Sequence, residues 1–337
     1  MKKLLYLLSI LAFISCTTKV ANEDIPSQHI YTVYGKVPIA ELSKTLIHEH
    51  VLVDFIGADS TGYHRWNRDS VVKKMLPYLQ QLKEYGVETL IETTPMYLGR
   101  DPLLLKRLAD STGIQMITNT GLYGAVNDKY LPAYAFEISA DSLSERWIEE
   151  FHKGIEETGI RPGFQKISVD PNSILSSVDK KIVIAAILTH AETGLTIVSH
   201  TGPDAPAFEQ LQLLDSMRVD PSAWVWTHAQ NGSDSGRIAA AKKGAWISLD
   251  NVMVNNYLDY VEMIDTLRRE GLLNKVLISH DAGYYDPDLA MDTEIRPYTA
   301  IFTHLIPALK KSGYSKETID TLLIINPAAA YAIEAPH

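Results

Sequence analysis

From Ile30 onward, short apolar runs rich in β-branched residues alternate with segments whose apolar positions recur at helical spacing. The runs predict strands over 45–51, 89–94, 115–120, 164–169, 195–200, 223–228, 245–249 and 275–280. The helical spacing predicts helices over 69–85, 102–110, 142–157, 178–192, 205–217, 234–242, 257–270 and 296–312. Gly86, Gly113 and Gly194 fall just past three of these helices, where a left-handed cap favours glycine. A short hairpin over 31–37 comes first. Strand–helix alternation repeated in this way calls for parallel βα units. Eight of them close most naturally into an α/β fold of the (β/α)8 TIM-barrel type. An open doubly wound sheet is the competing architecture, but no glycine-rich dinucleotide loop follows the first strand. No linker divides residues 30–337, which read as one domain.

Two connections are longer than a turn requires, over 121–141 and 282–295. Both leave C-terminal strand ends, where a barrel builds its active site, so both are candidate substrate loops. They carry Tyr123, Tyr130 and Tyr134 in the first and Tyr284 and Tyr285 in the second. Loop packing accounts for these tyrosines as well as substrate contact does.

Composition narrows the partners. The chain has 337 residues, 46% hydrophobic and 21% charged, with a formal net charge of −10. No basic run provides the footprint that phosphate backbones require, so nucleic acid is excluded as an expected partner. The first residues form a separate unit. Lys2 and Lys3 precede an apolar run over 4–14 that is too short to span a bilayer and reads as an export signal over 1–15. The stretch Phe13-Ile14-Ser15-Cys16 resembles a bacterial lipobox, in which the cysteine takes the lipid. Cys16 is also the sole cysteine, as suits an oxidising compartment. A plain secretory signal with an incidental cysteine is the alternative. Residues 16–29 then read as a lipidated tether, placing the protein in a bacterial cell envelope, periplasmic or surface-facing. Contact with membrane is expected only through that anchor.

The densest chemistry lies in Leu46-Ile47-His48-Glu49-His50. Side chains two apart on a strand share a face, so His48 and His50 can grip one divalent cation. Two hydrogen-bonded histidines would be the bland reading. Lys166 stands inside the apolar strand 164–169, where low dielectric penalises its charge. It either loses its proton, and can then capture CO2 as a bridging carbamate, or pairs with a buried carboxylate. Strands five and six close on His200 and His228, and strand eight is followed by Asp281. Singly, each has a structural explanation. Together His48, His50, Lys166, His200, His228 and Asp281 would converge at one barrel mouth and suit two divalent cations about 3.5–4 Å apart. His280 points away from Asp281 and is expected behind the site. No role falls to His29, His64, His152, His190, His304 or His337.

This set resembles the phosphotriesterase family of the amidohydrolase superfamily, across nearly all of 30–332. The resemblance rests on the 46–50 strand, Gly163-Phe164-Gln165-Lys166-Ile167, His200, His228, Ser279-His280-Asp281 and Asn326-Pro327-Ala328. It implies that His48, His50 and Asp281 bind one metal and His200 and His228 the other, with carbamylated Lys166 as the bridge. It also implies a small-molecule ester or lactone substrate and, as in many relatives, a homodimer. Zinc is the expected metal, although such ligands also accept Mn, Co or Fe. The expected reaction is hydrolysis by a bridging hydroxide, with Asp281 as general base. A lactone or related carboxylic ester is the preferred substrate. Phosphotriesters and acyclic esters are the alternatives, and an idle lipid-anchored binding protein is the remote one. Trp66, Tyr97, Tyr123, Tyr284 and Arg296 are candidate pocket walls; Arg100 or Arg296 would serve an anionic lactone.

Overall fold

The computed structural model describes residues 28–333. The expected export signal, Cys16 and the expected tether as far as residue 27 lie outside the described residues, as does His337.

The predicted hairpin forms from β1 (His29–Thr32) and β2 (Gly35–Pro38), paired antiparallel. The barrel strands are β3 (Thr45–Leu52), β4 (Thr89–Glu92), β5 (Gln115–Ile117) with β6 (Asn119–Thr120), and β7 (Phe164–Ser168). They continue as β8 (Ile197–His200), β9 (Trp224–Thr227), β10 (Trp246–Leu249), and β11 (Val276–Ile278) with β12 (Gly283–Tyr285). Neighbours pair in parallel throughout, and β12 pairs with β3 to bring the last strand back to the first. Strands three and eight are each split into two short segments; the run over 115–120 spans both halves of the third, whereas the run over 275–280 covers only β11, and β12 lies in the stretch read as a loop. The eight-unit barrel expected from the alternation is the architecture observed.

Helices α1 (Arg68–Glu84), α2 (Pro102–Thr112), α3 (Tyr134–Glu137), α4 (Ala140–Lys153) and α5 (Ser177–Thr193) follow the first four strands. Helices α6 (Asp204–Ser216), α7 (Asp234–Lys243) and α8 (Tyr257–Arg269) follow the next three. Gly113 and Gly194 cap α2 and α5 with φ of 68° and 72°, the left-handed conformation for which glycine has no steric penalty. Two boundaries differ from the periodicity. The helix expected over 142–157 stops at Lys153, because Gly154 leaves helical backbone at φ 95°. The helix expected over 296–312 begins only at a π-turn (Ile301–Leu305) that runs into α9 (Ile306–Lys311). Pro297 bars Arg296 from helical backbone, and Arg296 instead bridges to Gly283.

The core has two layers. One lies between strands and helices, where Leu46, Leu90, Met116, Ile167, Ile197, Trp226 and Ile278 pack outward. The other fills the barrel floor with Ile47, Ile91, Ile117, Phe164, Val198, Val225 and Leu277, and Ile30 of the hairpin packs against it. The hairpin therefore closes the floor and leaves the C-terminal mouth for chemistry.

One irregularity shapes the first strand. Leu46 aligns with Leu90 but Glu49 with Glu92, so β3 carries one extra residue between them. Such a bulge re-aims side chains. Here it lets Ile47 enter the floor cluster while His48 and His50 line the cavity above it.

Candidate metal centre

All six residues singled out in the sequence line one cavity of about 550 Å³ at the barrel mouth: His48, His50, Lys166, His200, His228 and Asp281. His48 Nε2 lies 3.4 Å from Lys166 Nζ and 3.4 Å from Asp281 Oδ1. His50 Nε2 is 3.0 Å from the same Asp281 oxygen, and His228 Nε2 is 2.8 Å from His200 Nδ1. Among the described residues, His48, His228 and Asp281 place ligand atoms within 4.8 Å of one another, the spacing one ion requires.

Hydrogen bonds on the far side of each ring fix which nitrogen faces inward. Asp250 is fully buried at the end of β10 and accepts from His48 Nδ1 at 2.9 Å and His228 Nδ1 at 2.5 Å. It also accepts from the His228 backbone, Ser248 and Gln230. Burial raises its carboxyl, but His228 and His48 outweigh that and hold it well below the usual range. Thr94 gives its hydroxyl proton to Glu92, so its oxygen must accept from His50 Nδ1, 2.8 Å away. Three rings are therefore locked as Nδ1–H tautomers with Nε2 lone pairs pointing into the cavity. For His50 and His48 those lone pairs face the acceptor oxygen of Asp281. Acceptor against acceptor repels unless a cation lies between them. The donor set fits divalent metal.

Electrostatics agree for His48 and His200, whereas His228 is raised above its usual value because Asp250 outweighs its burial. Burial, with Lys166 next to it, pushes His48 down to about 4, so its ring is neutral at ordinary pH. Burial also drives His200 well below its usual range, reinforced by His228. Asp281 is pushed up by burial, but His48, His50 and His228 outweigh that and hold it ionised. Lys166 is lowered by burial to about 8, so a substantial share of the amine is neutral near that pH. Gly121 runs over its backbone at φ 120°, where any Cβ would collide with the Lys166 carbonyl.

Asp250, Glu92, Thr94 and Glu49 escaped the sequence reading. Asp250 had a legible signal: it closes Trp246-Ile247-Ser248-Leu249 as Asp281 follows strand eight. The other three lie inside or just past strands, where nothing in the pattern separates a buried partner from a solvated one. His280 is buried behind the site as expected, with its Nδ1 on Glu49 at 2.7 Å.

The cavity walls sort the remaining candidates. Tyr123, Tyr284, Tyr285 and Arg296 line the cavity with Phe55, Leu98 and Leu289. The Tyr123 hydroxyl reaches His200 Nδ1 at 3.1 Å. Tyr130 instead packs with Val53 and Leu98, and Tyr134 stacks under Arg146. Trp66 is spent on Asp101, and Tyr97 packs against Tyr134. Arg100 and Arg296, the cations expected to serve an anionic lactone, both have protein partners. Arg100 is buried against Glu150 and the Asn119 carbonyl, while Arg296 binds Asn251 and the carbonyls of His280 and Asp281.

Comparison with known proteins gives the same picture. The phosphotriesterase family model matches residues 28–331. An aryldialkylphosphatase of Saccharolobus solfataricus is 30% identical, over 85% of this chain and 94% of its own. A phosphotriesterase homology protein of Escherichia coli is 27% identical over 84% and 96%, and an N-acetyltaurine hydrolase of Mus musculus 24% over 89% and 97%. The chain belongs to the phosphotriesterase family and is a metal-dependent hydrolase.

Proposed function

We propose that this protein opens lactones or closely related carboxylic esters, using a binuclear centre in the mouth cavity. The observation that carries the reading is the inward convergence of the His48 and His50 Nε2 lone pairs on Asp281 beside Lys166, with His228 Nε2 meeting His200 in the same cavity. His48, His50 and Asp281 would hold one ion, and His200 and His228 the other. Lys166 would bridge them after its neutral amine adds to CO2, forming an N–C bond and releasing a proton. Two divalent cations, zinc the expected identity, supply Lewis acidity and lower the pKa of water towards about 7.

The side chains do the rest. Asp281 stays ionised and can accept the proton of an attacking water. Tyr123 stays protonated because burial raises its phenol, so it remains a donor for an oxygen that gains charge. Phe55, Leu98, Tyr284 and Leu289 offer an apolar wall. Besides Lys166, the basic residues that line the cavity are engaged: Lys74 on the carbonyls of Met291 and Thr293, and Arg296 as above. A neutral ester suits such a wall better than an anionic one.

A phosphotriester is the second reading, favoured by the name of the 30% identical relative. Proton release by the zinc-loaded, bicarbonate-treated protein across lactones, acyclic esters, an aryl phosphotriester and N-acetyltaurine tests both. Preference for a neutral lactone supports the proposal. Preference for the triester or the anionic amide replaces the substrate, and inactivity across the panel overturns the ester reading.

We also propose that Cys16 carries a lipid that anchors the protein in a bacterial envelope. Radiolabelled palmitate retained by the wild type and lost in Cys16→Ser would support this; equal labelling or none would refute it.

A further inference from the structure

Asp281 sits in the left-handed region at φ 51°, a conformation that costs an ordinary residue on the order of 1 kcal/mol. It is also two residues from β12, whose pairing with β3 closes the barrel. Every main-chain polar group from 280 to 282 is accounted for. The Asp281 N–H donates to the His48 carbonyl at 3.0 Å, and the Ala282 carbonyl accepts from the His50 N–H at 3.0 Å. Glu49 takes the other two donors. Its Oε1 accepts from the His280 N–H and its Oε2 from the Ala282 N–H, both at 3.0 Å. Arg296 takes the other two acceptors. Its Nη2 donates to the His280 carbonyl at 2.7 Å and to the Asp281 carbonyl.

Each gripping side chain is itself tied down. Glu49 Oε1 also accepts from Ser279 Oγ and His280 Nδ1, both at 2.7 Å. Ser279 Oγ in turn accepts from the His48 N–H at 3.0 Å, and His280 Nε2 accepts from the Ile301 N–H at 3.0 Å. Arg296 Nη1 donates to Asn251 Oδ1 at 2.7 Å. Glu49 and His280 are fully buried, so a lost partner there leaves a donor or acceptor without water to replace it.

We infer that Glu49 and Arg296 are positioning residues that clamp Asp281 from opposite sides, one by its flanking N–H groups and the other by its carbonyls. The inference rests on the proposed role of Asp281 as ligand and proton acceptor. It gives Arg296 a task other than substrate recognition, although it lines the cavity. It also explains the glutamate between the two histidines: pointing away from them, it fixes strand eight while they face the cavity.

The test uses cobalt-loaded, bicarbonate-treated wild type with Arg296→Gln, Arg296→Lys and Glu49→Gln. Bound cobalt and its visible spectrum are read together with kcat and KM on the substrate that the wild type prefers. The clamp predicts that affinity for one cobalt falls about 10–100-fold, the change typical when a partner behind a ligand is removed. The second cobalt is retained, the spectrum changes, and kcat falls with KM nearly constant. Arg296→Lys should fail as Arg296→Gln does, because an ammonium lacks the planar fork. Wild-type stoichiometry and spectrum in the Arg296 variants, or a rise in KM at constant kcat, would overturn the inference. If Glu49→Gln does not fold, the Arg296 variants and Ser279→Ala decide it. Wild type that binds no cobalt would sink the proposed function and the clamp together.

Discussion

His48 Nδ1 donates to Asp250 Oδ2 across 2.9 Å, and the other oxygen of that carboxylate holds His228 Nδ1. One buried aspartate thus orients two rings that the proposal assigns to different ions. Asp250→Asn presents an amide where two acceptor oxygens are needed, so at least one ring loses its tautomer. The expected result is a 10–100-fold fall in affinity for metal with a parallel loss of kcat. Competition with a chelator, read by metal analysis, checks it. Unchanged affinity at both sites would refute the orienting role.

Lys166 gives a pH dependence with a definite sign. Its folded pKa is lowered to about 8, so neutral amine, the form that adds CO2, increases as pH rises through that value. With dissolved CO2 held constant, activation of metal-free protein by CO2 and zinc should therefore quicken from pH 7 to 9 and then level off. Mass spectrometry under native conditions would follow the added carbon dioxide. Lys166→Ala should remove both the uptake and at least 100-fold of kcat, roughly the scale of a lost charged partner in a buried site. Near-wild-type turnover in a metal-verified Lys166→Ala sample would contradict the bridging role.

A second titration lies away from the site. Asp179, in the capping box that starts α5, is raised to about 6 by burial, with Asp170 and Asp128 adding to the effect. A raised carboxyl binds its proton more tightly folded than unfolded. Stability from this group is therefore present at low pH and lost as pH rises from about 4 through 6. Asp179→Asn should flatten the fall of Tm over that window and be relatively more stable at pH 7. A parallel Tm profile in the two proteins would exclude this linkage.

Gly121 tests the packing beneath Lys166. Its φ of 120° and the collision of any Cβ with the Lys166 carbonyl predict that Gly121→Ala costs about 3 kcal/mol or more. Urea unfolding would measure it. A loss below about 1 kcal/mol would mean that the strand-three exit can move aside.

The sequence made the barrel legible because eight apolar runs and eight helical stretches alternate without interruption. It also exposed Lys166 and the histidines, because charge or imidazole at the end of a buried strand is out of place. It hid the groups that orient them. Asp250 and Glu92 are one tertiary contact away from their partners, and strand pattern carries no record of which neighbour a side chain meets. Arg296 was legible as a cavity residue, but its bonds to the carbonyls of His280 and Asp281 were not, because they too are tertiary contacts. The π-turn at Ile301–Leu305 was invisible because its apolar spacing matches an ordinary helix.

The most direct measurement is anomalous scattering from crystals of the zinc-loaded, bicarbonate-treated protein. The account predicts two zinc peaks about 3.5–4 Å apart. One should lie among His48, His50 and Asp281 and the other against His200 and His228, with density for a carbamate extending from Lys166 between them. A single peak, zinc bound elsewhere, or an unmodified Lys166 amine beside two occupied sites would contradict it.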